Sequence, residues 1–116
     1  MRRASTKDDF MRLSMDSDWS PDQFEAYLSA DWAIGLMGQD WHVVGQVVDG
    51  DLFIEKLCLP EDEQEALAVL EELPYLRITA RLSLAKQDHG MILLLSKLGF
   101  RAEADGEMQI AMTRSK

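Results

Sequence analysis

Cysteine is almost absent from this 116-residue chain: Cys58 stands alone, so no internal disulfide can staple the fold. Its neighbours Leu57 and Leu59 are apolar, which predicts a buried thiol in a reducing compartment and hence a cytoplasmic protein. Positive charge is the second scarcity. Twelve lysines and arginines face 21 acids, for a net charge of -9 and a pI near 4.5. Such a balance argues against broad attraction to nucleic acid phosphates or an anionic membrane, and favours a protein partner with a basic patch. No apolar run approaches the ~20 residues of a membrane span, and the opening "MRRASTKDDF" has no apolar signal core. The two histidines, His42 and His89, are far apart and lack acid or thiol neighbours at ligand spacing, so no metal is assigned. Repeats, low-complexity tracts and linkers are missing too, which leaves residues 1–116 as a single domain with a 47% apolar composition fit to bury a core.

What is present changes period along the chain. Met1 to Ser5 suits a first strand, and Thr6 with Asp9 three residues on makes a capping-box start for a helix carrying Phe10 and Leu13. A second start follows in "SPDQFEAYLSA": Ser20 caps, Pro21 takes the first helical position, Gln23 reaches back, and Phe24, Tyr27 and Leu28 form a stripe. From Trp32 to Leu59, β-branched and aromatic residues punctuated by "GQD" and "DGD" predict a three-stranded meander that ends by Pro60. "EDEQEALAVLEEL" predicts a helix with Ala66, Leu67, Leu70 and Leu73 inward and acids in its first turn. After Pro74, Leu76, Ile78, Ala80, Leu82 and Leu84 alternate with Arg77, Thr79, Arg81 and Ser83, which predicts a strand. Asp88 suits the cap of a last helix through Leu98, Gly99 its corner, and Asp105-Gly106 a hairpin turn before inward Met108, Ile110 and Met112.

This order of strand, two helices, meander, helix, strand, helix and hairpin, with "KLGF" closing the final helix, resembles the GNAT family of N-acetyltransferases. The resemblance implies an α+β fold with a mixed, mostly antiparallel sheet flanked by about four helices. It also implies a place for acetyl-CoA or another acyl-CoA, whose pyrophosphate would sit on backbone N–H groups at the start of the helix after the fourth strand. Glycines there let the backbone approach the phosphates, and the helix terminus supplies positive potential. The equivalent stretch "PEDEQEALAVL" has no glycine. It offers Glu63, Ala66 and Ala68 at the motif positions and surrounds them with Glu61, Asp62 and Glu65, an arrangement that repels an anion. Leu95 stands where family members carry a proton-donating tyrosine. Glu55, on the fourth strand, is the one weak candidate for a catalytic base. No cofactor is therefore assigned.

Several other residues have a plain reading beside a functional one. Arg77, Thr79 and Arg81 share a strand face that could hold an anion, although pairing with surface acids is the expected role. Trp19, in "DSDWSPDQ", is an interface anchor or a staple against Phe24 across the Ser20 cap. With Glu63 and Glu65 it makes up the expected partner-binding set. Order, size and the opening "TKDDF" are also similar to small acetyltransferase-like proteins of tailed phages. Three functions follow: a degenerate GNAT-like domain that binds and modulates another protein, an acyltransferase with an atypical cofactor site, and an acidic nucleic-acid mimic that makes no direct nucleic-acid contact.

Overall fold

The computed structural model describes residues 1–15, 17–83 and 89–115. Its elements run β1 (Arg2–Arg3), α1 (Lys7–Ser14), α2 (Pro21–Leu28), β2 (Ala33–Met37), β3 (His42–Val48), β4 (Asp51–Cys58), α3 (Glu63–Glu72), β5 (Arg77–Ser83), α4 (His89–Lys97), β6 (Arg101–Ala104) and β7 (Gln109–Ser115). That is the order expected from the sequence.

Local chemistry explains the boundaries. Both predicted capping boxes form: the Thr6 and Ser20 side chains accept the backbone N–H groups of Asp9 and Gln23, whose side chains accept in return from the cap backbones. Asp9 does more than cap. Its buried carboxylate accepts from the Ser5 and Thr6 N–H groups at 2.9 and 3.1 Å and takes both terminal nitrogens of Arg2 at 2.7 Å, which ties the short β1 to α1. Those hydrogen bonds, led by the Arg2 pair, hold its pKa far below the usual carboxylate range. Between β3 and β4, Asp49 and Gly50 both have positive φ (52° and 83°), the pairing that matches a two-residue hairpin turn to strand twist.

The seven strands form one sheet in the order β1-β2-β3-β4-β5-β7-β6, antiparallel throughout except for β4 against β5. Alternation along each strand feeds two cores. On one face Leu36, Val43, Leu52, Ile78 and Met112 pack with Ala66, Val69 and Leu70 of α3, Leu95 of α4 and Leu98 just after it. On the other, Met37 and Val44 pack with Phe10 and Leu13 of α1 and Phe24 of α2. The helices α1 and α2 cover only the β1–β3 half of their face. Arg114 links the first core's layers: its Nε donates to the Leu98 carbonyl at 3.1 Å and a terminal nitrogen to Glu71 at 2.9 Å.

Four expectations need correction. The buried stripe of α3 is Ala66, Val69 and Leu70, continued by Leu73 at the C-cap in the i, i+3, i+4, i+7 series, and Leu67 lies beside it, partly exposed. Leu76 precedes β5 and is 71% exposed, because Tyr75 takes the inward place after the turn. Met108 likewise precedes β7 and faces out. Cys58 is exposed: Leu57 and Leu59 turn to the core, and strand alternation sends the residue between them to the opposite side. The expected positions of Leu84 and Asp88 lie outside the described residues. Among the described residues, no helix is long and apolar enough to cross a membrane.

One buried titratable group makes the fold sensitive to acid. His42, at the start of β3, is 7% exposed and its Nε2 has no hydrogen-bond partner among the described residues. Burial, then the nearby Lys56 and Arg12 cations, lower its pKa from 6.5 to about 4. The folded chain thus resists a proton that the unfolded chain accepts, so this contribution to stability is present above pH 6.5 and is lost as pH falls toward about 4. We expect His42→Phe to flatten the decline in melting temperature across that window. An unchanged decline would place the acid sensitivity elsewhere.

Candidate functional site

At the centre of the sheet the pairing is short for the length of its strands. β4 and β5 are paired over three positions only, Leu52 with Ile78, Phe53 with Thr79 and Ile54 with Ala80. Beyond Ile54 the two strands run on without pairing. The cause lies on the other side of β4, where Lys56 opposes Val44 but Ile54 opposes Gly45, so that Glu55 is an extra residue in the ladder. A bulge of this kind bends the strand that carries it. Gly45 makes it tolerable: a Cβ on that residue would stand 2.2 Å from the Phe53 carbonyl oxygen, which is backbone and cannot swing away.

Glu55 is therefore placed by the bulge rather than by plain alternation. It is exposed at the rim of a cavity of ≈ 310 Å³, with Gln46, Phe53, Ile54, Thr79 and Arg81 as its neighbours in the wall. Tyr27 of α2 approaches from the side. Its hydroxyl is buried without a well-formed hydrogen bond among the described residues, and burial first, then the Glu55 charge, raises its pKa. Neutral Tyr27, anionic Glu55 and the amide of Gln46 thus gather at the end of the paired region. Arg81 brings no net positive charge there, since Asp105 holds its Nε at 3.1 Å, the surface pairing expected from the sequence. The sequence did not mark Phe53 or Gln46. Leu52 and Ile54 turning inward was the available signal that Phe53 faces the other way, and it is 44% exposed.

The three positions aligned with a phosphate loop do not make a loop. Glu63, Ala66 and Ala68 all lie in the first turns of α3, and Ala66 is fully buried against the sheet. The helix N-terminus is also already engaged, because the Asp62 carboxylate accepts the Glu65 N–H at 3.1 Å. Glu63 meets Lys97 of α4 at 3.3 Å in an exposed pair. The pyrophosphate of an acyl-CoA does not fit these residues: the terminus has its own carboxylate cap, neighbouring acids repel phosphate, and no glycine opens the backbone. Leu95, in the tyrosine's place, is fully buried among the residues of the first core.

Trp19 and the α3 acids are on opposite sides of the sheet, so they do not form one surface. Trp19 belongs to the α1/α2 side, where its ring lies 5.1 Å from Phe24 and 5.2 Å from Tyr27. This is a hydrophobic staple across the Ser20 cap, from the residue before the cap to the fourth helical position. Tyr27 in turn meets Trp32 edge-on at 5.1 Å, and Trp32 is 47% exposed.

Replacement of Gly45 by alanine tests the close approach at the bulge. Gly45→Ala should destabilise the fold by about 2–3 kcal/mol in urea unfolding, the range of an overpacked interior. A loss below about 0.5 kcal/mol, typical of a neutral surface change, would contradict the geometry.

No protein-family model matches the sequence, and no curated protein matches it. Solved structures do. A Bacillus subtilis acetyltransferase in complex with CoA superposes with a TM-score of 0.63 at 16% identity, over 97% of this chain and 94% of that one. The ribosomal-protein-S18-alanine N-acetyltransferase of Escherichia coli gives 0.62 at 15% identity, over 97% and 90%. A probable acetyltransferase from Staphylococcus epidermidis gives 0.55 at 10%, over 97% and 86%. With its mixed seven-stranded sheet, its single parallel pair and four helices among the described residues, the chain has the α+β fold of the GNAT acetyltransferases.

Proposed function

We propose that this GNAT-fold chain works without acyl-CoA and acts by binding another protein, which it inhibits or redirects. The observation that carries the reading is the start of α3, where the Asp62 carboxylate caps the helix among Glu61, Glu63 and Glu65. An anionic cofactor is repelled from this terminus and a cationic partner is attracted to it. The surface beside it has shape as well as charge. A groove of ≈ 510 Å³ runs along α3, with Asp40, Glu65 and Glu72 as carboxylates and Trp41, Pro60 and Val69 as apolar wall. A lysine or arginine side chain suits such a groove, with its stem on the apolar wall and its head among the acids. The occupant is thus a basic segment of a protein, on this reading a host protein in the cytoplasm met by a phage-encoded chain. Of the expected partner set, Glu65 belongs to this surface and Glu63 borders it. Trp19 belongs to another.

A second reading, an acyltransferase that holds its cofactor by other means, is favoured by the separation of β4 and β5 beside Glu55. Acetyl-CoA tells the two apart. On the first reading, millimolar acetyl-CoA leaves the melting temperature unchanged, whereas saturation at a hundred times Kd would stabilise the fold by about 2.7 kcal/mol. A dose-dependent rise overturns it. In parallel, Glu65→Lys combined with Glu72→Lys should abolish salt-sensitive capture of a partner that the parent chain retains. Equal capture by both would move the binding surface away from α3.

A further inference from the structure

Six of the ten cations among the described residues are engaged. Arg2 holds Asp9, Arg81 holds Asp105, Lys97 holds Glu63 and Arg114 holds Glu71. Arg12 donates to the carbonyls of Gln39 and Trp41, and Lys56 to those of Leu13 and Met15 at the end of α1. Arg77 and Arg101, like Arg3 and Lys7, stand outside these pairs, and unlike those two they line one cleft. Each is exposed, and among the described residues neither has a carboxylate within the 4.0 Å of an ion pair, although acids outnumber cations 21 to 12 in the chain.

The sheet brings these two together. On the half of the face that α1 and α2 leave uncovered, the register sets Phe53, Thr79, Thr113 and Arg101 side by side across β4, β5, β7 and β6. Arg77 follows on the same face of β5, opposite Ser115. Since β7 separates β5 from β6 and the two positions are offset by two residues along it, the two arginine backbones are roughly 12 Å apart, close enough for two long side chains to reach one anion. Between them lies a cleft of ≈ 690 Å³, in the size range of small-molecule sites. Its floor carries the Thr79 and Thr113 hydroxyls, 3.2 Å apart, and the half-exposed Phe53 ring forms one wall. Glu103 is on the rim beside Arg101 and sets a limit on how much negative charge the cleft accepts.

We propose that this cleft is a binding site for a small organic oxyanion, a carboxylate or phosphate on an apolar or aromatic body. Arg77 and Arg101 supply charge-assisted donors, the two threonine hydroxyls complete the oxygen shell, and Phe53 receives the apolar part. An anion is the ligand class because the cleft concentrates unpaired cations in a chain otherwise rich in acids. A hydrophobic part is implied because Phe53 is a large exposed ring in an otherwise polar wall. The site lies toward the start of β5, away from the α3 groove, and does not depend on what occupies that groove.

Titration of the full chain with phenyl phosphate, benzoate, inorganic phosphate and phenol, followed by NMR of the arginine Nε–H groups and of the Thr79 and Thr113 amides, tests this. Saturable shifts at Arg77 and Arg101 are expected with phenyl phosphate, benzoate or both, and whichever binds tighter identifies phosphate or carboxylate as the source. Inorganic phosphate should bind at least fivefold more weakly than phenyl phosphate, and phenol should not saturate. Arg77→Gln and Arg101→Gln should each weaken binding at least tenfold with the melting temperature of the unliganded protein retained, while Arg81→Gln leaves binding unchanged. The proposal is overturned if no probe saturates at millimolar concentration, if the double Arg77→Gln, Arg101→Gln variant binds as the parent does, or if phenol matches the anions.

Discussion

The close approach of Gly45 to the Phe53 carbonyl governs the centre of this molecule. Because no side chain intervenes, β4 can carry one residue more than β3 across the same span, and the surplus at Glu55 bends it away from β5. Three paired positions then suffice to join the two halves of the sheet. The surplus residue, Glu55, stands at the rim of a cavity where the pairing ends. The cleft over β5, β7 and β6 has another origin, the half of that face which α1 and α2 leave uncovered.

Charge is sorted across the fold with similar economy. Several of the few cations tie backbone ends and layers: Lys56 binds carbonyls at the end of α1, Arg12 those of Gln39 and Trp41 between β2 and β3, and Arg114 joins α3, the end of α4 and β7. Acids collect at the start of α3, where the helix dipole favours them. At that terminus the Asp62 carboxylate caps the helix by accepting the Glu65 N–H.

Much of the architecture was legible because it is written in local chemistry. Thr6 with Asp9 and Ser20 with Gln23 satisfy their own helix ends, Asp49-Gly50 supplies the two positive φ values of a tight hairpin, and Gly99 with a φ of +94° ends α4. Errors arose where a short pattern had two compatible phases. Leu67 and Val69 both suit a helical stripe, and only contact with the sheet chose Val69. Leu76 and Met108 continue an alternation whose strand had not yet begun. Cys58 was judged by its neighbours, although residues adjacent in a strand face opposite ways. The site was less legible than the fold. Glu55 and the Arg77 face were visible as candidates, but Phe53, Arg101 and Thr113 belong to three strands distant in sequence, and no local spacing relates them.

By itself, then, the sequence determined the order of elements, their caps and turns, the strong acidity of the chain and the lack of glycine at the start of α3, since each of these is read from the residues themselves or from near neighbours. Tertiary structure alone decided which acids and tryptophans share a surface, separating Trp19 from Glu63 and Glu65 by the thickness of the sheet. It also decided which arginines find acids and which do not: Arg81 meets Asp105, while Arg77, four residues earlier on the same strand face, is brought into one cleft with Arg101. The physical reason is pairing across strands. Register joins residues far apart in the chain, and a bulge of one residue changes what that register exposes.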